Sequence, residues 1–107
     1  MQTREIPLCQ STIDNGRIYF PIGDAKFFPA DALADREGDG HKGEPVYFFS
    51  GEFRIQSDIR VISSKRISPR RTFAPYLKSV SASVGDMLRI VKVGEREFSV
   101  EHIASKV

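Results

Sequence analysis

The side chains able to do chemistry are few and unevenly placed. Between Arg54 and Lys78 stand seven bases, Arg54, Arg60, Lys65, Arg66, Arg70, Arg71 and Lys78, against Asp58 alone, a local balance of +6. Between Asp31 and Glu44 the sign reverses, with Asp31, Asp35, Glu37, Asp39 and Glu44 against Arg36 and Lys42, or −3. The whole chain carries only +2. A basic block inside a near-neutral protein is the electrostatic footprint of a phosphate-rich partner. The competing reading is a solvated basic face, and charge alone does not separate the two.

Nucleophilic, metal and nucleotide chemistry have less support. Cys9 is the single cysteine, which excludes an intramolecular disulfide and fits a reducing cytosol. It sits in PLCQS with no helix start evident beside it, so it reads as an ordinary thiol rather than a nucleophile. His41 lies in a glycine-rich stretch and His102 near the end, neither with a partner at ligand spacing, so no metal or other cofactor is expected. No GxxxxGK[ST] and no strand–GxGxxG–helix occurs. Asp58 with Lys65, or Asp31 with Asp35 and Asp39, offers the carboxylates of a Mg²⁺-dependent nuclease. The plainer reading puts Asp31 in a first helical turn and Asp35 and Asp39 in a loop. Asp86, in VGDMLRI, reads as the turn that enters a strand.

The elements that must position these residues are mostly strands. The chain has 107 residues, 40% of them apolar, with eight Phe and three Tyr and no Trp, which suits one domain with its own core. REIPLCQ reads as a first strand, IDNG as a turn, and RIYFPI as a second strand. KFFPADAL opens a short helix with Pro29 in its first turn. ADREGDGHKGE is a loop. PVYFFS and FRIQS form a hairpin, and DIRVIS alternates as a half-buried strand. In SKRISPRRT, Pro69 interrupts any regular element. TFAPYLKSV is a second short helix with Thr72 as its cap. MLRIVKV and REFSVEHI close the chain as a hairpin turning at Gly94-Glu95. Phe27-Phe28 and Phe48-Phe49 read as core rather than as base-stacking platforms, one ring of each pair facing inward and its neighbour covered by a helix or loop. The sum is about seven short strands and two short helices, spaced as in a barrel or sandwich. No stretch approaches a membrane span and no signal peptide opens the chain, so a cytoplasmic, bacterial-type protein is expected.

The order of the pieces carries a resemblance. STIDNGRIYFPIGDAKFFPADAL, followed by GEPVYFFSGEFRIQSDIRVISSKRISPRRTFAPYLKSVSASVGDMLRIVKV, resembles the DNA-binding pseudobarrel family over roughly residues 11–100. That family includes the plant B-three transcription-factor domain and the effector domain of EcoRII-type restriction endonucleases. The resemblance is strongest to small bacterial restriction–modification modules. Two features depart from it: Ser57 stands where threonine precedes the acid–Ile strand start, and Phe73 and Tyr76 stand in the second helix where the plant pattern has a tryptophan.

The resemblance implies a mainly β, seven-stranded open pseudobarrel with two short helices. It also implies a wrench whose two arms enter the major groove of double-stranded DNA. One arm is the turn holding Ser11, Thr12, Asp14, Asn15 and Arg17. The other is the turn after DIRVIS, holding Ser63, Ser64, Lys65 and Arg66. Asn pairs bidentately with adenine and Arg with guanine, while Ser and Lys hold phosphates and set register. Arg70 and Arg71 are expected to grip the backbone, with Arg60 and Lys78 as weaker members. No catalysis is expected within the chain. It is expected to act alone or, more often, to target a nuclease or methyltransferase supplied in trans. The rivals are a protein-interaction regulator on the same small barrel, marked by an exposed apolar patch, and the nuclease.

Overall fold

The computed structural model describes residues 2–34 and 43–105. Asp35, Arg36, Glu37, Asp39, His41 and Lys42, with most of the expected polar loop, lie outside the described residues.

Alternation of apolar and polar residues produces most of the strands. They are β1 (Thr3–Pro7), β2 (Phe20–Pro21), β3 (Leu33–Ala34), β4 (Val46–Ser50), β5 (Phe53–Ser57), β6 (Ile59–Val61), β7 (Arg66–Pro69), β8 (Met87–Lys92) and β9 (Glu97–Ile103). β2 and β3 are two residues each; the seven strands expected from the sequence correspond to β1, β2, β4, β5, β6, β8 and β9, while β3 and β7 are additional. Two sheets result, ordered β1-β8-β9-β4-β5 and β2-β7-β6-β3. The pairs β4/β9 and β3/β6 run parallel, and all other pairs are antiparallel. The mainly β, open pseudobarrel architecture is therefore present. The β4–β5 hairpin turns at Gly51, whose φ of +58° is a left-handed conformation that suits glycine.

The helices are shorter than the sequence suggests. α1 (Gln10–Asn15) and α2 (Ala74–Ser79) have six residues each. Two 3₁₀ segments, Ile22–Phe27 and Ala30–Ala32, replace the single helix expected at KFFPADAL. Pro29 precedes the second segment rather than opening an α-helix. Thr72 stands one residue outside the α2 cap position, which Phe73 fills, though its hydroxyl accepts from the Ala74 N–H at 3.3 Å. Pro69 does not interrupt regular structure. It closes β7 opposite Ile59, at a strand end where its missing N–H is tolerated.

Rings fill the space between the sheets. Phe98 lies 5.1 Å from Phe27, 5.0 Å from Phe28 and 5.4 Å from Phe48, and Phe48 lies 5.3 Å from Phe73. Phe27 and Phe28 are both buried. They leave a 3₁₀ turn rather than a strand, so strict alternation does not govern them and neither is a stacking platform. Phe48 and Phe49 do alternate on β4, with Phe48 in the core and Phe49 half-buried on the other face. Among the described residues, no buried side-chain polar atom lacks a hydrogen-bond partner.

Candidate nucleic-acid interface

The first expected arm is a helix, not a turn. Ser11, Thr12, Asp14 and Asn15 stand on α1, which starts directly after Cys9. The Asn-Gly signal serves instead to end the helix. Gly16 takes φ of +73°, and its N–H bonds the Thr12 carbonyl at 2.8 Å. A Cβ on Gly16 would lie 2.7 Å from the Ala74 Cβ, so the α1 end sits tightly against the α2 start. The Gly16 carbonyl accepts from the Phe73 N–H at 2.7 Å.

The side chains of this arm are partly committed. Thr12 is buried, its hydroxyl 3.4 Å from Cys9 Sγ, and the Ser11 hydroxyl lies 3.2 Å from the same sulfur. Those two hydroxyls hold the exposed Cys9 thiol down to about 7. Asp14 accepts from Gln10 Nε2 at 2.8 Å. Asn15 Oδ1 accepts from the Arg17 N–H at 2.9 Å, which orients the amide and occupies one of the oxygen's two lone pairs. Arg17 Nη1 donates to the carbonyls of Pro69 at 3.4 Å and Arg70 at 3.1 Å, which ties this arm to the end of β7.

The second arm is the tip of the β6–β7 hairpin. The Ile62 and Ser63 N–H groups bond the Arg66 carbonyl at 3.1 and 3.2 Å, and Ser63 Oγ accepts from the Lys65 N–H at 3.1 Å. The Lys65 carbonyl accepts from the Ile22 N–H at 2.8 Å, which braces the tip against the chain beyond β2. With its backbone so held, the turn presents Ser64, Lys65 and Arg66 exposed. The Arg66 guanidinium lies 4.5 Å over the Tyr19 ring, a cation–π contact that orders its long side chain.

The tip borders a concavity of ≈ 770 Å³ to which the first arm contributes only the buried Thr12; Ser11, Asp14, Asn15 and Arg17 do not line it. The concavity is lined by Cys9 and Thr12 from the start of α1, by Ser63, Lys65 and Arg66 from the tip, and by Leu8, Tyr19, Phe20 and Pro21. Glu5 and Asp24 also line it, and Asp24 is paired with Arg4 at 2.9 Å. Tyr19, Glu5 and Asp24 were not anticipated from the sequence. Tyr19 carried a weak signal, as the half-buried neighbour of a core ring in RIYF.

The remaining predicted residues lie elsewhere. Arg60 is exposed on β6, opposite Ser68 and Ala34. Arg70 and Arg71 line a separate hollow of ≈ 420 Å³ beyond the other end of β7. Arg71 is exposed, and its N–H donates to Ser57 Oγ at 3.0 Å. Arg70 is engaged, its Nε and Nη2 donating to the two Asp58 carboxylate oxygens at 2.7 and 3.0 Å. Asp58 also accepts from the Gly43 N–H at 2.9 Å. Burial pushes the Asp58 carboxyl up, but the Arg70 hydrogen bonds, the Gly43 N–H and the Arg70 charge together hold it below the usual carboxylate range.

The nuclease arrangement gains nothing from this geometry. Asp58 precedes β6 and Lys65 follows it, so a whole strand separates them. Asp31 pairs with Arg96, while Asp35 and Asp39 lie outside the described residues. Among the described residues no three His, Cys, Asp or Glu side chains gather as a metal site, and no helix is long and apolar enough to cross a membrane.

No family model and no curated protein matches the chain. Solved structures do. The N-terminal domain of Helicobacter pylori LlaJI.R1 superposes with a TM-score of 0.69 at 13% identity, over 96% of this chain and 81% of that one. Arabidopsis FUS3, solved as a DNA complex, gives 0.66 at 13% identity, over 95% of this chain and 97% of that one. The hypothetical Arabidopsis thaliana protein At1g16640.1 gives 0.65 at 12% identity, over 99% and 93%. The likeness is one of fold, and it agrees with the pseudobarrel expected from the order of the sequence motifs.

Proposed function

We propose that this chain binds double-stranded DNA with some sequence preference, through the α1 arm and the β6–β7 tip. The observation that carries the reading is that Lys65 and Arg66 stand exposed at one concavity that the start of α1 also borders, through Cys9 and Thr12. The fold shared with FUS3, which was solved bound to DNA, supports it. In this reading Lys65 neutralises phosphate, and Arg66, held against Tyr19, offers its fork to a guanine edge. Ser63 and Ser64 set register on the backbone. The chain is a recognition module without catalysis of its own, serving transcriptional control or a restriction–modification enzyme supplied in trans.

The test is fluorescence anisotropy on a randomised duplex across a salt series, followed by selection of a preferred site. Affinity is expected to fall steeply with salt, as counterion release requires. Lys65→Ala is expected to lower the slope of log K against log salt by about 0.9 on every sequence. Arg66→Ala is expected to cost about 1–3 kcal/mol on the preferred site and much less on others. No binding at low salt would sink the reading.

A further inference from the structure

Arg70 belongs to the basic block, yet its geometry is that of a strut. Its fork closes on the two oxygens of a carboxylate that is only 5% exposed. Its backbone is bound to the same residue, since the Arg70 N–H donates to the Asp58 carbonyl at 2.9 Å. Ser57 Oγ reinforces the joint by donating to that carbonyl at 2.8 Å and accepting from the Arg71 N–H at 3.0 Å. The C-terminal end of β7 is thereby fixed to the β5–β6 junction.

Both arms hang on β7. The tip arm is the turn that leads into Arg66, the first residue of β7. The α1 arm is tied to the opposite end, where Arg17 donates to the carbonyls of Pro69 and Arg70. β7 is four residues long. A strand rises about 3.3 Å per residue, so it is a short, stiff bar with one arm at each end.

Resting on the DNA-binding reading, we propose that the Asp58–Arg70 pair is a positioning device that sets the separation of the two DNA arms, and that Arg70 does not neutralise phosphate. A bidentate Arg–carboxylate pair fixes direction as well as distance, which a point-charge ammonium cannot do. Breaking it leaves the β7 end held by the main-chain bond and Ser57 Oγ without the side-chain strut, and so loosens the carbonyls that Arg17 grips.

The experiment has a DNA arm and a DNA-free arm, both on the full chain below its unfolding transition. In the first, Arg70→Ala, Arg70→Lys, Asp58→Asn and Arg71→Ala are compared by anisotropy across a salt series. The two Arg70 variants and Asp58→Asn are expected to bind several-fold more weakly with the salt slope unchanged. Arg71→Ala, an exposed cation, is expected to lower the slope by about 0.9. The Asp58→Asn/Arg70→Ala double variant should be no weaker than the worse single one, since both act through one joint. If Arg70→Ala lowered the slope like Arg71→Ala, or Arg70→Lys bound as well as the parent, Arg70 would be a phosphate grip and the proposal would be wrong.

In the second arm, spin labels on native Cys9 and on Ser64→Cys report the distance between the α1 arm and the tip. The distance distribution is expected to broaden when Arg70→Lys is added. An unchanged distribution overturns the positioning role whether or not DNA binds. A parent that binds no duplex removes the DNA reading while leaving this distance test intact.

Discussion

At the scale of single residues, the two arms differ in how free their side chains are. The tip arm holds its backbone by main-chain bonds and one serine hydroxyl, leaving Lys65 and Arg66 to meet a ligand. The α1 arm spends much of its side-chain capacity on itself, with Asn15 on Arg17, Asp14 on Gln10, and Ser11 and Thr12 on Cys9. Cys9 reports on both facts. Its thiol is exposed, lowered to about 7, and lines the concavity. Alkylation by iodoacetamide is therefore expected to rise with pH to half its maximum near 7, since the thiolate is the nucleophile. Ser11→Ala, which removes the largest of the lowering hydrogen bonds, should move that midpoint upward. A saturating duplex should slow the reaction, because DNA seated between the arms covers the sulfur. Equal rates with and without duplex, measured by mass spectrometry under binding conditions, would place the DNA somewhere other than this concavity.

At the scale of elements, one carboxylate ties the end of the chain to the first arm. Asp86, buried ahead of β8, accepts from the Ser105 and Ser83 N–H groups at 2.9 and 3.0 Å, and it meets His102 Nε2 at 2.8 Å. Its backbone carbonyl accepts from the Leu8 N–H at 2.9 Å, one residue before the cap of α1. The Ser105 N–H, then His102, then the Ser83 N–H hold the Asp86 carboxyl at about 2, below its ordinary 3.8. A depressed carboxyl contributes stability that is complete above the unfolded value and lost as pH falls through the folded one. Denaturant midpoints are therefore expected to fall between pH 3.8 and about 2, with Asp58 adding loss of the same sign. Asp86→Asn should destabilise the protein at neutral pH and flatten that acid limb. An acid limb unchanged in the variant would assign the titration to other carboxyls. The sequence read Asp86 as a turn, which is correct as far as it goes. Its partners, His102 on β9 and Ser105 just beyond that strand, lie sixteen and nineteen residues away, and no local spacing announces them. The same limit hid the Asp58–Arg70 joint, which spans twelve residues. What local patterning could show, it showed: the β4–β5 and β8–β9 hairpins pair as alternation and turn residues predicted. Asn-Gly and Pro each have more than one structural use, and local spacing does not choose between them. Asn15-Gly16 ends a helix, and Pro69 closes a strand.

At the scale of the whole molecule, the charge is too small to make binding a matter of bulk attraction. With a net charge of +2, the chain cannot rely on its overall field, so affinity must come from where its cations sit. The sequence located the tip cations correctly on one turn, but it could not show that the other cationic turn partners, Arg17 and Arg70, face inward to carbonyls and to Asp58. That leaves Lys65 and Arg66 exposed on the tip, Arg71 exposed at the separate hollow, and Arg54, Arg60 and Lys78 exposed on β5, β6 and α2. So few cations, set on a frame braced at both ends of β7, suit a ligand whose phosphates are already at fixed spacing. A duplex has that order before it binds, whereas a single strand must lose conformational freedom to match the frame. Single strands are usually held on exposed aromatic platforms, and of the candidate rings, Phe27, Phe28 and Phe48 are buried in the core while Phe49 alone is half-buried. A duplex is therefore expected to bind at least tenfold more tightly than either of its strands at the same salt, a difference of about 1.4 kcal/mol. Competition of labelled duplex by unlabelled single strands measures it. If single strands competed equally, the braced spacing of the arms would have no bearing on recognition, and the chain would be acting as a general basic surface.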